Sequence, residues 1–393
     1  MRGYKLAIDM CYFGAIHRGG KDEVAYNLLR GFEKIGVSDQ IVCFAYKDLV
    51  PILKTINSNI KICVLPRIKL NRRINIINRV FRFFYEERWS IHNKVEVMLF
   101  PNKKTPVWKW KIPTVAIMHD IQAFEYDALP GVLFSIENPK RHKRNISRDF
   151  KYRDAIIAIS DYDKNEMIKY LPQQGKKIIR IYDPVSFSSS LPTDEKKKYI
   201  TVINIQWLHK NVKTVIEAFA EIAGQIEQDL ILIGKEPKNI SELKKMVEAF
   251  SISDRVVFTG FVEKKKLEEI ISQTRVYVNA SCFEGFGMTA VEMMASKVPT
   301  IVANSTAMPE VTMGLCRYYS PASDFHALAD QIMEELKHPY PQERLEKIAS
   351  IIRDQYSYEK ITREYWNLIN QLAKKETWGR ISNTLKDSNV SSH

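Results

Sequence analysis

The feature that most constrains the fold is a regular alternation of short apolar runs with longer segments of helical period. This alternation is typical of parallel α/β sheets, because each parallel crossover requires a long connection that is usually a helix. We predict seven strands in the first half and six in the second. The first set is Lys5–Asp9, Gln40–Tyr46, Lys61–Leu65, Val95–Phe100, Thr114–Met118, Asp154–Ile159 and Lys177–Tyr182. The second set is Tyr199–Ile205, Asp229–Gly234, Arg255–Thr259, Arg275–Ala280, Pro299–Ala303 and Cys316–Tyr319.

The length of the chain favours two domains. A single core of 393 residues would be unusually large. A proline- and serine-rich stretch, Asp183–Pro192, separates the two sets of strands and suits a linker. We therefore predict two doubly wound Rossmann-like domains facing a cleft, with ligands at the strand carboxyl ends. The predicted boundaries are 1–184, a linker at 185–192, 193–357, a closing helix at 358–375 and a polar tail at 376–393.

Bulk composition indicates a folded, soluble protein, with 45% hydrophobic and 27% charged residues. No run of about twenty apolar residues occurs, so no membrane span is expected. The start of the chain reads as a first strand rather than a signal peptide. The five cysteines are scattered and form no C-x-x-C pair. A disulfide framework or a zinc site is therefore not expected, and a reducing cytoplasm fits.

The net charge of +13 favours polyanionic partners. Anionic lipid surfaces and phosphorylated substrates are both compatible with it. Nucleic acid is disfavoured, because no recognition module is visible and the charge is not concentrated in one aromatic-laced patch. Charge alone does not decide between the remaining partners.

Residues 284–292 read Glu-Gly-Phe-Gly-Met-Thr-Ala-Val-Glu, where a strand pattern leads into a helix pattern. The two glycines allow close approach of the backbone to a ligand, and the N–H groups of a helix start favour a phosphate. Glu284 would lie at the mouth of the loop. Glu292 lies about one turn inside the helix and could accept hydrogen bonds from paired hydroxyls. A diphosphate with a sugar at each end fits these groups; the alternative is a plain turn with surface glutamates.

The stretch Ser281–Val311 resembles the donor-binding core of the retaining nucleotide-sugar glycosyltransferases of the GT4 family, which have the GT-B fold. The family motif of two glutamates separated by seven residues is Glu284–Glu292 here, with Met288 in place of the usual leucine. Pro299–Ala303 and Ala307–Val311 also match the family pattern. The resemblance covers 1–375 loosely and 200–325 closely.

This resemblance implies roles for the motif. Glu284 would bind sugar hydroxyls near the reacting carbon, and Glu292 would hold the nucleotide ribose. The donor would also contact the loop and helix start, namely Gly285, Phe286, Gly287, Met288 and Thr289. It further implies that a last helix, Tyr358–Lys374, packs back on the first domain.

Lys210 lies just before a predicted helix with Asn211 as its N-cap. A flexible cation in this position can meet a diphosphate. GT4 proteins have a phosphate-binding lysine here, usually after an arginine at the strand end. This chain lacks that arginine, but His209-Lys210-Asn211 is similar to the W-P-H-K-N segment of O-antigen mannosyl- and rhamnosyltransferases. The alternative is a solvated lysine.

His119 and Asp120 follow a predicted buried strand, where an α/β fold places reactive groups. On its own, a histidine in this position is more often structural than catalytic. The segment is also similar to the H-D-[LI]-Q segment of the same subgroup, whose histidine faces the transferred sugar. The resemblance therefore implies that His119 lines the catalytic site and that Asp120 lies on the acceptor side.

The glycine pair Gly19-Gly20 precedes another helical pattern and permits close approach of substrate. The family has a similar glycine-rich loop, so both glycines are candidates for donor binding; a plain turn is the alternative. The pattern is not G-x-G-x-x-G, which argues against a nicotinamide dinucleotide.

Asp161-Tyr162-Asp163 looks like a metal-binding D-x-D motif, but helix capping after Ser160 explains it better. We predict no essential metal and no cofactor.

Residues 71–89 combine arginines with large apolar side chains in a helical pattern. The basic members are Arg72, Arg73, Arg79, Arg82 and Arg88. The apolar members are Ile74, Ile76, Ile77, Val80, Phe81, Phe83, Phe84 and Trp89. Such a helix can lie in a membrane interface, or it can pack in the core with its arginines in water.

These observations and the resemblance lead to one functional prediction. The chain would move a hexose from a nucleotide-diphosphate sugar, with GDP-mannose favoured, to a saccharide or lipid-linked acceptor with retention. The setting would be synthesis of a cell-surface polysaccharide such as O-antigen or capsule, in the cytoplasm or at the inner face of the plasma membrane. A sugar-nucleotide epimerase or hydrolase of the same fold, and a non-catalytic nucleotide-sugar-binding protein, are the alternatives.

Overall fold

The computed structural model describes residues 3–13, 19–66, 74–102, 105–119, 121–126, 138–187 and 198–374. These residues divide into two compact units. The first contains the described residues of 1–121, 140–186 and 356–393, and the second contains those of 122–139 and 187–355.

The first unit is built on a parallel sheet of seven strands in the order β3-β2-β1-β4-β5-β6-β7. Leu6 of the first strand is aligned with Ile41 on one side and with Val97 on the other. The strands are β1 (Leu6–Asp9), β2 (Ile41–Tyr46), β3 (Lys61–Leu65), β4 (Val97–Phe100), β5 (Thr114–Met118), β6 (Ala155–Ala158) and β7 (Ile178–Arg180).

The second unit repeats this plan with six parallel strands in the order β10-β9-β8-β11-β12-β13. Its strands are β8 (Tyr199–Ile203), β9 (Asp229–Ile233), β10 (Val256–Gly260), β11 (Thr274–Asn279), β12 (Thr300–Ala303) and β13 (Arg317–Tyr319). The prediction of two doubly wound α/β domains is therefore confirmed. All thirteen strands lie where the apolar runs predicted them, because the inner strands are covered on both faces and are therefore apolar throughout, while the partly exposed edge strands β3 and β10 still carry short apolar runs.

Helices connect the strands of both units. Those before β8 are α1 (Gly20–Lys34), α2 (Val50–Ile56), α3 (Ile74–His92), α4 (Gln122–Glu125), α5 (Pro139–Phe150) and α6 (Asp161–Tyr170). Those between β8 and β13 are α7 (Val212–Ile222), α8 (Ile240–Ala249), α9 (Lys264–Ser272), α10 (Met288–Ala295) and α11 (Met308–Val311). The last are α12 (Phe325–Lys337), α13 (Gln342–Tyr356) and α14 (Tyr358–Ala373). Within the described part of the chain, no helix is long and apolar enough to cross a membrane.

Each sheet reverses its winding beside its first strand. In the first unit β1 lies between β2 and β4, and in the second β8 lies between β9 and β11. The loops that leave the carboxyl ends of such neighbouring strands diverge to opposite faces, which opens a crevice at that edge. The loops after β8 and β11 are therefore the ones that can hold a ligand in the second unit.

The last helix belongs to the first unit, where α14 packs against α1. The helices approach closely at Gly31, since a Cβ there would lie 2.0 Å from the hydroxyl oxygen of Thr362. Phe32 and Trp366 make an edge-to-face contact next to it, with ring centroids 5.9 Å apart. The chain also pairs with itself where it re-enters this unit, with a parallel bridge between Val185 and Ser357.

A buried ion pair attaches α3 to the end of β1. The guanidinium of Arg82 lies 2.6 Å from a carboxylate oxygen of Asp9 and 3.3 Å from one of Glu86. Burial raises the pKa of Glu86 well above its ordinary value and Asp9 raises it further, whereas Arg82 lowers it. The core-packing alternative for 71–89 put the arginines in water, and this is wrong for Arg82. Arg72 and Arg73 lie outside the described residues.

We expect Arg82→Met to destabilise the protein by about 3–5 kcal/mol, because it leaves Asp9 and Glu86 buried without their cation. Urea unfolding of the purified protein measures this loss. Adding Asp9→Asn and Glu86→Gln to the Met variant should restore much of it. Arg88→Met, at an exposed arginine of the same helix, is the control and should change stability by about 0.5 kcal/mol or less. Equal effects of the two arginine variants would contradict the assigned role.

Candidate functional site

Two loops meet at the carboxyl edge of the second sheet, one after β8 and one after β11. The backbone N–H of Cys282 donates to the carbonyl oxygen of His209 at 2.9 Å, which joins the loops. Beside this bond, Lys210 Nζ lies 2.5 Å from Glu284 Oε1. Two residues that sequence analysis selected separately, 74 positions apart, therefore form one ion pair.

The position of Lys210 depends on a short 3-10 turn, Leu208–Lys210, followed by Asn211 in the left-handed conformation with φ 55°. Asn211 is at the N-cap position of α7, as predicted, but its side chain caps no helix N–H. Its amide instead donates to the carbonyl oxygen of Ala322 at 2.8 Å, and its Oδ1 accepts from Thr214 at 3.0 Å. Asn211 is therefore the N-cap residue by position, but its side-chain oxygen, the atom that would cap the helix, is used by the Thr214 hydroxyl.

Glu284 is held by three donors on one carboxylate oxygen. Besides Lys210, the hydroxyl of Ser281 donates at 2.8 Å and the amide of Asn279 donates at 3.3 Å. Burial alone would raise the pKa of Glu284, but the charge of Lys210, helped by His209 and by the Ser281 hydrogen bond, keeps that pKa below its ordinary value. The carboxylate is therefore ionised at neutral pH although it is mostly buried.

The backbone of Glu284 is fixed by Thr306. The Glu284 N–H donates to the Thr306 hydroxyl oxygen at 2.9 Å, and that hydroxyl donates back to the Glu284 carbonyl oxygen at 2.9 Å. Thr306 itself has a positive φ of 46°. The loop after β12 is thus hydrogen-bonded to the loop after β11. These bonds fix the backbone of Glu284, so its carboxylate is positioned without a ligand.

Gly287 ends this loop and is the N-cap residue of α10. Its φ of 85° is in the left-handed region, and a Cβ there would lie 2.6 Å from the sulfur of Met308. Both the conformation and the space therefore require glycine. The N–H groups that begin α10 have no carbonyl partner inside the helix and are suited to an anion. Phe286 is buried, so a ligand would meet its backbone rather than its ring.

Tyr277 lies between the two glutamates of the motif. It is fully buried on β11, and burial together with the charges of Glu284 and Glu292 raises its pKa. Its hydroxyl makes hydrogen bonds with Thr289 and Asn279. It therefore ties the start of α10 to the end of β11. Sequence analysis missed it, because a tyrosine in an apolar strand run looks like ordinary core.

Polar residues at strand ends complete the site. Asn204 has a φ of 68° just after β8, and its amide donates to the Thr289 hydroxyl at 3.3 Å. Asn279, Ser281 and Thr306 were also not selected from the sequence. The available signal was their position at the carboxyl edge of the second sheet, since Asn279 is the last residue of β11 and the other two follow strand ends.

His119 lies in the first unit at the end of β5 and is buried. Its Nε2 is 3.0 Å from the carbonyl oxygen of Pro101, so this nitrogen carries a proton and donates. Its Nδ1 lies 3.9 Å from a carboxylate oxygen of Asp183. Burial raises the pKa of Asp183 to about 8, although the charge of Lys21 acts in the opposite direction. Asp120 lies outside the described residues.

The glycine pair begins α1, with Gly19 at φ 132° and Gly20 as the first helical residue. Both glycines are exposed, and in the described part of the chain no atom beyond their immediate chain neighbours lies within 4 Å of a Cβ built on either. The capping interpretation of 160–163 is confirmed, because the Ser160 hydroxyl oxygen accepts from the N–H of Asp163.

Among the described residues, one group could supply three metal ligands within 4.8 Å of one another: Asp9, Cys11 and Glu86. Arg82 already lies against both of these carboxylates. The group therefore has its own cation, and it lies in the other unit from the Lys210–Glu284 pair.

Known proteins resemble this chain in sequence and in fold. Residues 186–353 match the family described as Glycosyl transferases group 1. The O-antigen chain mannosyltransferase RfbU of Salmonella typhimurium is 27% identical over 209 residues, which cover 52% of this chain and 56% of that protein. The N-acetyl-alpha-D-glucosaminyl L-malate synthase of Bacillus anthracis is 27% identical over 243 residues, covering 58% and 62%. These matches span less than two thirds of either relative.

The fold has a close structural counterpart in sucrose-phosphate synthase from Thermosynechococcus elongatus. The TM-score is 0.70 at 16% identity, covering 94% of this chain and 99% of that one. Both units of the chain are therefore included in the likeness. Together, the two Rossmann-like sheets and the structural likeness show that the chain has the GT-B fold, and its residues 186–353 match the family described as Glycosyl transferases group 1.

Proposed function

We propose that this protein is a retaining glycosyltransferase that moves a hexose from a nucleotide-diphosphate sugar to a saccharide or lipid-linked acceptor. The observation that carries the proposal is the Lys210–Glu284 ion pair, held at the switch point of the second sheet. It combines a flexible cation, an ionised carboxylate and a helix start in one place. These are the groups required by a diphosphate joined to a sugar.

The diphosphate would bind between Lys210 and the start of α10, with main-chain N–H groups of 285–289 as donors. Lysine has three N–H donors, so it can hold a phosphate oxygen while one donor stays on Glu284. Glu284 would accept hydrogen bonds from the sugar, and Glu292 would accept them from the ribose. Met288 and Thr289 are partly exposed at the helix start and would contact the donor directly.

In the reaction, the bond between the anomeric carbon and the diphosphate breaks, and a bond from that carbon to the acceptor oxygen forms. The nucleoside diphosphate leaves with the electron pair, and the acceptor hydroxyl passes its proton to an oxygen of that departing diphosphate. Positive groups fixed beforehand around the leaving diphosphate stabilise the charge that develops on it. Lys210 and the α10 N–H groups supply this charge here, and we propose that no metal ion is essential.

Within this function we favour a mannosyl donor such as GDP-mannose, and a role in O-antigen or capsule synthesis. The similarity to an O-antigen chain mannosyltransferase supports this choice. An equally similar relative is named for an N-acetylglucosaminyl product, so a donor of N-acetylglucosamine is the main competitor. The catalytic role of His119, the donor role of Gly19 and Gly20, and the acceptor role of Asp120 stay predictions.

We expect wild-type protein to bind one nucleotide sugar of a panel selectively and to release its nucleoside diphosphate slowly, with no effect of EDTA. Glu284→Gln should leave the Kd for the nucleoside diphosphate nearly unchanged and lower kcat by about 10²–10³, because it removes the charge that faces the sugar. Calorimetry and a nucleotide-release assay measure the two quantities.

Three outcomes separate the proposal from its rivals. Binding of no nucleotide sugar would refute the donor site. Binding with no turnover, even with acceptor extracts, would indicate a binding protein. Conversion of the nucleotide sugar at full rate without any acceptor would indicate an epimerase or a hydrolase.

Lys210→Ala should weaken binding of the nucleoside diphosphate by roughly ten- to hundredfold. The reason is the loss of a charge-assisted contact worth about 1.5–3 kcal/mol. Lys213→Ala is the matched control, because Lys213 is an exposed lysine on the adjoining helix, paired only loosely with Glu217 at 3.6 Å. Circular dichroism should first establish that both variants are folded. Equal affinities of the two variants would exclude a phosphate role for Lys210.

Glu292→Gln should weaken binding of the nucleoside diphosphate and binding of the full nucleotide sugar by the same factor, because both ligands contain the ribose. A loss of roughly ten- to hundredfold corresponds to one hydrogen bond to a charged acceptor, which is worth about 1.5–3 kcal/mol. Titration of each ligand by calorimetry measures the two factors. If the variant weakened binding of the nucleotide sugar only, Glu292 would instead contact the transferred sugar.

A further inference from the structure

Helix α3 presents a continuous row of large apolar side chains to solvent. Phe81 is 68% exposed, Phe84 50% and Tyr85 49%. Val80 and Ile91 are 45% and 42% exposed. Residues at spacings of three and four lie on one side of a helix, so these side chains form one surface, which we call the α3 apolar face.

This face is the outer side of a helix that is firmly packed on its inner side. Phe83 contacts Phe100 edge to face at 5.8 Å, and Trp89 contacts Phe44 in the same way at 5.3 Å. Arg82 is fixed by its ion pair with Asp9. The inward-facing aromatic side chains of α3 therefore pack in the core, whereas the outward-facing ones take no part in the packing of the first unit.

The exposed charges that helix α3 itself carries beside the α3 apolar face have one sign. Arg88 lies in the same row, with its guanidinium 5.6 Å from the ring centre of Phe84. The two acidic residues of the helix, Glu86 and Glu87, are both buried on the inner side. Among the described side chains of α3, the exposed surface is therefore apolar and cationic, without a carboxylate.

A second basic helix lies on the same side of the sheet. The connections β3-α3-β4 and β5-α5-β6 both advance in the same direction along the strand order. Right-handed crossovers in the same direction place their helices on the same face. The basic side chains that α5 exposes on this face are Lys140, Arg141, Arg144 and Arg148.

We propose that the α3 apolar face docks on the surface of an anionic phospholipid bilayer, with Phe81, Phe84 and Tyr85 inserted at the headgroup level. Large apolar side chains beside arginine, on a helix whose described carboxylates are all buried, match an interface of acyl chains and anionic headgroups. A protein partner would need carboxylates at positions that match these arginines and lysines. A bilayer containing phosphatidylglycerol, in contrast, presents negative charge along the whole face. The net charge of +13 adds long-range attraction.

Co-sedimentation of the purified chain with vesicles tests this proposal. We expect binding to vesicles of phosphatidylglycerol and phosphatidylcholine, weak binding to phosphatidylcholine alone, and weakening with added salt. The double variant Phe81→Ser, Phe84→Ser should bind at least about tenfold more weakly, because two inserted rings are lost. Arg88→Glu should weaken binding by roughly fivefold or more, since each basic residue near an anionic surface contributes about that factor.

The matched control is Phe261→Ser in the second unit, where the ring is 74% exposed but lies outside the α3 apolar face. It should bind vesicles like wild type. Failure of wild type to bind anionic vesicles, or unchanged binding of the Phe81/Phe84 variant, would overturn the proposal. The proposal would also be overturned if the wild-type protein were a dimer in solution and the same double variant were a monomer, because a second copy would then cover the face. The assay contains neither donor nor acceptor, so its outcome is independent of glycosyl transfer.

Discussion

The rest of the structure depends on the reversal of strand order beside β1 and beside β8. Parallel strands joined by right-handed crossovers place all their carboxyl ends at one edge, and the reversal separates the loops of two neighbouring strands. Backbone and side-chain groups from distant parts of the chain can therefore meet there without crowding. Lys210 and Glu284 meet at this edge because β8 and β11 are neighbours, although they are far apart in sequence.

Both units place a buried or nearly buried ion pair at this edge, but the two pairs differ in what they can do. In the first unit, Arg82 of helix α3 neutralises Asp9, and both side chains are buried. In the second, Lys210 and Glu284 come from two loops and both keep some exposure to solvent. A buried pair of the first kind specifies how a helix packs. A pair that solvent can reach is able to exchange one partner for a ligand.

Most of the fold follows from local sequence, because a strand covered on both faces must be apolar along its whole length. That requirement placed the thirteen strands within two residues of their observed ends. Part of the site followed in the same way, since glycines and glutamates at a strand end form a local pattern. Tyr277, Asn204 and Thr306 could not be found like this. Their roles arise from contacts with residues far along the chain, and a single tyrosine, asparagine or threonine has no distinguishing local pattern.

The sequence by itself determined the two parallel sheets, their division between the halves of the chain and the loop that carries Glu284 and Gly287. Only the tertiary structure decided which partner each charged or aromatic side chain has. Phe81 and Phe83 are two residues apart in the same arginine-rich helix, yet one is 68% exposed and the other 2%. Helical period groups such residues into faces, but the face that turns inward is chosen by its fit to the sheet and by the ion pair between Arg82 and Asp9.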